Sequence, residues 1–130
     1  MTYKDLNVYQ RAYKVAIDLH LFLQKNNQEL AAEQAQELKT ISREILAQIA
    51  EGSTGRTPRA KRYFYFRARE GANRMMQHLE FLHDIKGIPE DVFKNFSQEY
   101  EVCSKQLWKL NQSVLEKSIE KQEAKEAVPA

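Results

Sequence analysis

Cysteine is nearly absent from this chain, and that scarcity excludes one route to stability. Cys103 is the single cysteine, so no disulfide can form within the chain, which fits a reducing cytosol. No apolar run approaches the roughly 18 residues that a membrane-spanning helix needs. The first residues contain no apolar segment of signal-peptide length, so we expect a cytoplasmic protein that does not enter a membrane.

Motifs for catalysis and for metal binding are also missing. The chain has no glycine-rich phosphate loop, no triad order and no paired carboxylates in a recognisable setting. His78 and His83 are five residues apart on one predicted helix and do not share a face, while His20 belongs to another element. Cys103 lies in an apolar seam and is interpreted as a small buried hydrophobe. We therefore expect no enzyme, no metal site and no cofactor.

The chain does have apolar residues at helical spacing, with no alternation typical of strands. Four amphipathic helices are predicted over about Leu6 to Lys25, Leu30 to Ala50, Pro58 to Lys86, and Pro89 to Leu115. The polar residues Asn26–Gln28 are predicted to end the first helix. Thr57 and Pro58 are the predicted cap and first residue of the third helix, and Gly87 is predicted to end it.

The last helix carries the most regular pattern. Its apolar residues alternate steps of three and four, which is typical of near-parallel helix packing: Phe93, Phe96, Tyr100, Cys103, Leu107, Leu110 and Val114. Four such helices joined by short turns predict an all-α, up-down-up-down four-helix bundle over residues 1–115. Residues 116–130 are predicted to form a charged C-terminal tail that is partly frayed, because they have little to bury.

Charge is segregated into the segment Ile49–Arg74. Seven cations and only two acids, Glu51 and Glu70, give the segment a net charge of +5, whereas the whole chain carries +2. Segregated cations suggest an anionic partner. At the start of the segment, Gly52 is predicted to be the residue that ends the second helix with a positive φ, and Glu51 to pair with a nearby cation.

The third helix is predicted to separate these cations from its core stripe. Its core arc is predicted to contain Phe64, Ala68, Gly71, Met75, Leu79 and Leu82, with Tyr65 and Met76 on a flank. The candidate nucleic-acid-binding residues are the seven cations and two aromatics of the opposite side or near it: Arg56, Arg59, Lys61, Arg62, Arg67, Arg69, Arg74, Tyr63 and Phe66.

Two readings of this basic face stay open. Arginine forks match phosphate oxygens and the aromatics can stack on bases, which favours RNA or DNA binding. The alternative is a protein–protein adaptor whose basic face binds an acidic protein partner, or a face that pairs with acids on another helix or subunit. Tyr63, Phe66 and Met76 fit a contact with a neighbouring subunit as well as they fit base stacking.

Three motifs resemble a known family. The opening from Tyr3 to Ala12 is similar to the aromatic-x-Asp-Leu-x-Val-Trp opening of the 23S rRNA intervening-sequence proteins, also called four-helix-bundle proteins. Ile49-Ala50-Glu51-Gly52 matches that family's Ile-Ala-Glu-Gly, and a basic turn and an aromatic helix start, Lys61–Phe66, follow as in the family. Two departures occur: Tyr9 stands where tryptophan is usual, and Arg74 and Met76 stand where glutamates are common.

The resemblance covers about Tyr3 to Leu115. It implies a four-helix bundle that assembles as a homopentamer and has no catalytic residues. It also implies a ribosomal setting or, through a related branch, that of an accessory protein of diversity-generating retroelements, which binds nucleic acid and a reverse transcriptase. We therefore expect a non-enzymatic, oligomeric nucleic-acid-binding protein, with a reverse transcriptase or a ribosomal component as a possible protein partner.

Overall fold

The computed structural model describes residues 2–25 and 31–127. Within these ranges the chain forms a short 3-10 helix at Tyr3–Asp5 and four α-helices, and no strand. The α-helices are α1 (Asn7–Lys25), α2 (Ala32–Thr54), α3 (Pro58–Asp84) and α4 (Glu90–Ala127). The predicted all-α class is confirmed. The predicted helix end at Asn26–Gln28 lies outside the described residues.

Neighbouring helices run antiparallel. On α2 and α3, Glu44 contacts Arg74 whereas the earlier Glu37 contacts His78, so the residue numbers rise on one helix as they fall on the other. The contacts between α3 and α4 and between α4 and α1 follow the same rule. Across the described ranges, α1 packs on α2 and α4 but not on α3, and α2 does not pack on α4. The arrangement is the predicted up-down-up-down four-helix bundle.

Side chains of all four helices fill one core. The predicted seam of α4 is confirmed: Tyr100, Cys103 and Leu107 are buried, and its remaining members pack against the core. Tyr65 corrects the prediction for α3, because its ring is 3% exposed whereas Phe64 is only partly buried. No helix in the described part of the chain is long and apolar enough to cross a membrane.

Gly52 is the main correction at the junction of α2 and α3. The predicted helix end at Ala50 is wrong, because α2 continues to Thr54 and Gly52 is a buried residue within it, without a positive φ. A Cβ atom at Gly52 would lie 2.5 Å from Cε1 of Tyr65. Glycine is therefore needed here because the Tyr65 ring packs closely against the backbone of α2, and not because the chain turns. The interpretation of Glu51 and Gly52 as turn residues is wrong, since both lie in the last turns of α2.

The ends of α3 agree with the prediction in one case and differ in the other. Thr57 caps the start, its Oγ1 accepting from the backbone N–H of Ala60 at 3.1 Å, with Pro58 in the first position. At the other end α3 stops at Asp84, and Lys86 takes the left-handed conformation (φ 62°) that glycine would favour. Gly87 instead donates its N–H to Leu82 at 2.7 Å and closes the helix end.

The C-terminal segment continues α4. Residues 116–127 are helical, and nearly all of their side chains are exposed. Because Arg62 on α3 contacts Asn111 and the two helices are antiparallel, α4 passes the start of α3 near Leu115 and projects beyond it. The division into a bundle over 1–115 and a tail that is partly frayed stays a prediction.

Candidate nucleic-acid interface

The outward side of α3 carries the predicted cationic face. Ala68, Gly71, Met75, Leu79 and Leu82 turn inward and are buried. The helical period of 3.6 residues therefore turns the opposite side to solvent. The exposed candidates of the segment are Arg56, Arg59, Tyr63, Phe66, Arg67 and Arg74, and those that are partly buried are Lys61, Arg62 and Arg69.

Three cations lie around the turn that joins α2 to α3. Arg56 and Arg59 are exposed, and neither has an ion-pair partner within 4.0 Å in the described ranges. Lys61 is engaged differently, since its Nζ donates to the backbone oxygen of Ser53 at 2.9 Å. Lys61 therefore ties the start of α3 to the end of α2 while it keeps its charge. Glu51 is exposed nearby and makes no ion pair with a described residue, which contradicts the predicted pairing.

Arg67 and Arg74 each have a carboxylate neighbour, at long distance. Arg67 Nε is 3.7 Å from Glu70 Oε1, and Arg74 Nη2 is 3.6 Å from Glu44 Oε2. All four side chains are about half exposed, and exposed pairs of this kind contribute about 0–1 kcal/mol. Arg67 also donates to Tyr63 Oη at 3.1 Å. Such weak pairs leave both guanidinium groups available to a stronger anion.

Arg62 and Arg69 lie on the side of α3 that faces α4. Arg69 Nε donates to Ser104 Oγ at 3.3 Å, and that hydroxyl donates to Asn73 Oδ1 at 3.0 Å. Asn111 donates to the backbone oxygen of Arg62 at 3.3 Å, while Arg62 Nε is buried without a hydrogen-bond partner among the described residues. A neutral hydroxyl holds the Arg69 side chain, and neither Arg62 nor Arg69 has a carboxylate within 4.0 Å among the described residues.

Two exposed aromatic rings lie among these cations. Tyr63 is 53% exposed and Phe66 is 52% exposed, which places half of each ring in solvent. Tyr63 packs its edge against Phe64, with ring centroids 5.1 Å apart, and lies 5.9 Å from the guanidinium carbon of Arg67. The predicted association of aromatics with arginines on one face is therefore present in the structure.

Trp108 on α4 is a candidate that the sequence pattern did not predict. It is 49% exposed, although its neighbour Leu107 is fully buried in the α4 seam. The available signal was its position one residue outside that seam. The side of the bundle that it faces depends on how α4 is aligned with α3, which only the structure supplies.

Charge also differs between the two ends of α3. The basic turn and Arg59 lie at its start, whereas Glu80 and Asp84 lie near its end. Around that far end, α2 brings Glu37 within 3.9 Å of His78. A polyanion would therefore be attracted to one end of the bundle and repelled from the other.

Among the groups whose pKa is shifted, Cys103 and His20 bear on function or stability. Burial raises the pKa of the Cys103 thiol to about 12, so this side chain is a neutral core group, as its place in the seam predicted. Burial, together with the charges of Arg43 and Lys39, lowers the pKa of His20. No group of three His, Cys, Asp or Glu side chains in the described part of the chain is arranged to hold a metal ion.

Comparison with known proteins agrees with the motifs noted in the sequence. No curated protein and no solved structure matched the chain. A family model described as 23S rRNA-intervening sequence protein matches residues 4–109. That match includes the opening motif from Lys4 onward, the Ile49–Gly52 motif and all of α3, and it extends over most of the chain. The chain therefore belongs to the 23S rRNA-intervening sequence protein family.

Proposed function

We propose that this chain is a non-enzymatic nucleic-acid-binding protein whose interface is the basic face of α3 and the turn before it. The observation that supports it most is that five of the seven cations have no carboxylate within 4.0 Å among the described residues: Arg56, Arg59, Lys61, Arg62 and Arg69. A face evolved to be neutralised within the bundle would carry matched acids. The family's name, which refers to 23S rRNA, is consistent with an RNA ligand.

The dimensions of this face suit a polynucleotide. Arg59 and Arg74 are 15 residues apart on α3, which is about 22 Å along the helix axis. That length corresponds to roughly six nucleotides of a stacked strand at about 3.4 Å each. Arginine forks along this line can each bind phosphate oxygens through two N–H groups. Binding would then release counterions and depend steeply on salt.

Fluorescence anisotropy with labelled RNA and DNA at several salt concentrations tests the proposal. The double variant Arg59→Gln, Arg67→Gln should weaken binding and reduce the slope of log affinity against log salt by about 1.5, since each lost phosphate contact removes roughly 0.7–0.9. Lys94→Gln is the matched control, because Lys94 is an exposed cation near the start of α4, away from this face. Affinity that ignores salt, or an equal loss in the control, would refute the proposal.

An acidic protein partner is the second candidate. Half-exposed aromatics next to arginines, as at Tyr63 and Phe66, are also typical of protein interfaces. In this function the chain is an adaptor, for instance to a reverse transcriptase or a ribosomal component. A partner that copurifies after nuclease treatment, and that is lost in the Arg59→Gln, Arg67→Gln variant, would favour the adaptor over direct nucleic-acid binding.

We further propose that the chain acts in the cytoplasm as a homo-oligomer, with the pentamer implied by the family resemblance as the expected state. Tyr13, Ile17 and Leu21 support self-association, because they form an exposed apolar stripe on the side of α1 that points away from the core. Several copies would join their basic faces into one larger surface. Mass-resolved chromatography with and without nuclease measures subunit count and bound polynucleotide, and a monomer at every concentration would refute the assembly.

A further inference from the structure

Trp108 occupies a position that core packing does not explain. It is the only tryptophan in the chain, and half of it is exposed while the α4 seam beside it is buried. Within the described residues the indole has no hydrogen bond and no ring contact. Its exposed surface is therefore free to meet a ligand.

Two contacts define the alignment of α3 and α4. Asn111 reaches the backbone of Arg62, and Ser104 reaches the side chain of Arg69, so seven residues forward on α3 correspond to seven residues back on α4. This constant offset puts Trp108 at the level of Tyr65, one residue or about 1.5 Å along the axis from the level of Phe66. By the helical period Phe66 points away from the buried side of α3, and Trp108 lies on the outer flank of α4 that is turned toward α3.

Cations surround these two rings. Arg62 and Arg69 lie one turn to either side of Phe66 on the edge of α3 that faces α4. Lys109 follows Trp108 directly, and Lys105 precedes it by three residues. Of these four cations, Lys105 alone has a carboxylate within 4.0 Å in the described part of the chain, Glu101 at 3.2 Å, and both of these side chains are largely exposed. Two free rings bordered by four cations form a surface with both apolar faces and uncompensated positive charge.

The geometry points to a stacking site for unpaired bases at Phe66 and Trp108, so that the ligand of the basic face is single-stranded nucleic acid, including the single-stranded segments of a folded RNA. This inference rests on the proposed function and deepens it. Bases within a duplex are stacked on one another and cannot reach a ring on a convex helix surface, whereas splayed bases can. A strand whose phosphates contact the arginines of α3 can place its bases against these exposed rings, where aromatic stacking is tolerant of sequence.

Charge argues against a second copy of the chain as the occupant. A symmetric contact between two such faces would bring eight cations together against four acids, Glu70 and Glu101 of each copy, which is unfavourable unless an anion lies between them. A polynucleotide supplies both the negative charge and the flat apolar rings.

Because Trp108 is the only tryptophan, emission excited at the red edge of the absorption band, where the six tyrosines do not absorb, reports on this site alone. The probes are a 12-nucleotide single-stranded RNA, a 12-base-pair RNA duplex, and heparin, which carries charge but no bases. Binding of each is measured by anisotropy or competition, and emission is recorded in the same titrations. We expect the single strand to quench Trp108, and the duplex and heparin to bind through charge with little quenching.

Variants separate stacking from charge. Trp108→Ala should weaken single-strand binding by roughly 5- to 150-fold, the range of one lost base stack, and duplex binding by less than about twofold. Trp108→Phe should keep most of the affinity because it keeps a ring. Phe81→Ala is the control: Phe81 is a 59% exposed aromatic near the acidic end of α3, and its loss should change neither single-strand nor duplex affinity. Circular dichroism verifies that each variant is folded.

Three results would overturn the inference. One is a bound single strand that leaves Trp108 emission unchanged; another is an equal loss of single-strand and duplex affinity in Trp108→Ala. The third is emission that changes with protein concentration in the absence of nucleic acid, because that would make a second copy the occupant. If no nucleic acid binds in a salt-dependent way, the proposed function itself fails. Salt-dependent binding without a preference for single strands would instead refute the stacking site and leave the proposed function standing.

Discussion

Gly52 belongs to the Ile-Ala-Glu-Gly motif, and the structure suggests a sharp test of what that glycine does. A Cβ atom there would lie 2.5 Å from Cε1 and 2.6 Å from Cδ1 of Tyr65, whereas ordinary contacts of such atoms are 3.4–4 Å. The ring must therefore move by about 1 Å in a site where it is 3% exposed. Forcing extra atoms into a packed core typically costs about 1–3 kcal/mol.

Helix propensity acts in the opposite direction. Gly52 lies within α2, where alanine is favoured over glycine by up to about 1 kcal/mol. Taken together, the two effects should lower the free energy of unfolding of Gly52→Ala by about 1 kcal/mol. In a Tyr65→Val background the ring atoms are gone and only the propensity gain remains, so the same substitution should stabilise the protein.

Urea denaturation of the four proteins of this double-mutant cycle measures the coupling, which we expect to be about 2 kcal/mol. Ala50→Gly, two residues earlier on the same helix, is the control that measures the local propensity difference. If Gly52→Ala costs the same in both backgrounds, the ring contact is not the reason for the glycine. If Gly52→Ala stabilises the protein with Tyr65 present, the packing argument is wrong.

Two further predictions concern pH and the C-terminal segment. Burial first, then the charges of Arg43 and Lys39, lowers the pKa of His20 in the folded protein. The unfolded chain therefore binds more protons than the folded one, and the free energy of unfolding should fall as pH drops through about 6.5. The urea midpoints at pH 7.5 and pH 5 should differ less in His20→Gln than in the unmodified protein. An equal difference in both proteins would exclude His20 as the cause. A chain ending after Leu115 should keep its free energy of unfolding within about 0.5 kcal/mol, because residues 116–127 are almost wholly exposed, and a larger loss would mean that the segment packs on another copy.

Periodicity was enough to predict what depends on one helix at a time. The seam of α4 and the outward arc of Arg59, Arg67 and Arg74 follow from 3.6 residues per turn, and the structure has both. Features that depend on two helices were not predictable in this way. Gly52 was misinterpreted as a helix end because a glycine after a periodic run is typical of one, and the ring that approaches it is 13 residues away.

The same limitation explains the errors on α3. Phe64 and Tyr65 are adjacent aromatics, and the average period favours burial of Phe64, because it places Phe64 on the core arc and Tyr65 on a flank. The structure buries Tyr65 instead, because the gap in α2 at Gly52 provides room for its ring. Trp108 was missed for a related reason: its significance depends on the offset between α3 and α4, which follows from contacts such as that of Arg69 with Ser104.

The two close-packed glycines of the α2/α3 contact connect the core to the proposed interface. Gly52 on α2 accepts the ring of Tyr65, and Gly71 on α3 accepts Ile45, whose Cγ1 would lie 2.8 Å from a Cβ at that position. The two glycine contacts lie about two turns apart along the helix pair, and together they restrict the rotation of α3 about its own axis. With Tyr65 turned inward, the period of the helix turns Phe66 outward beside Arg62 and Arg69. The glycine of the family motif thus orients the cationic and aromatic side chains without touching the ligand.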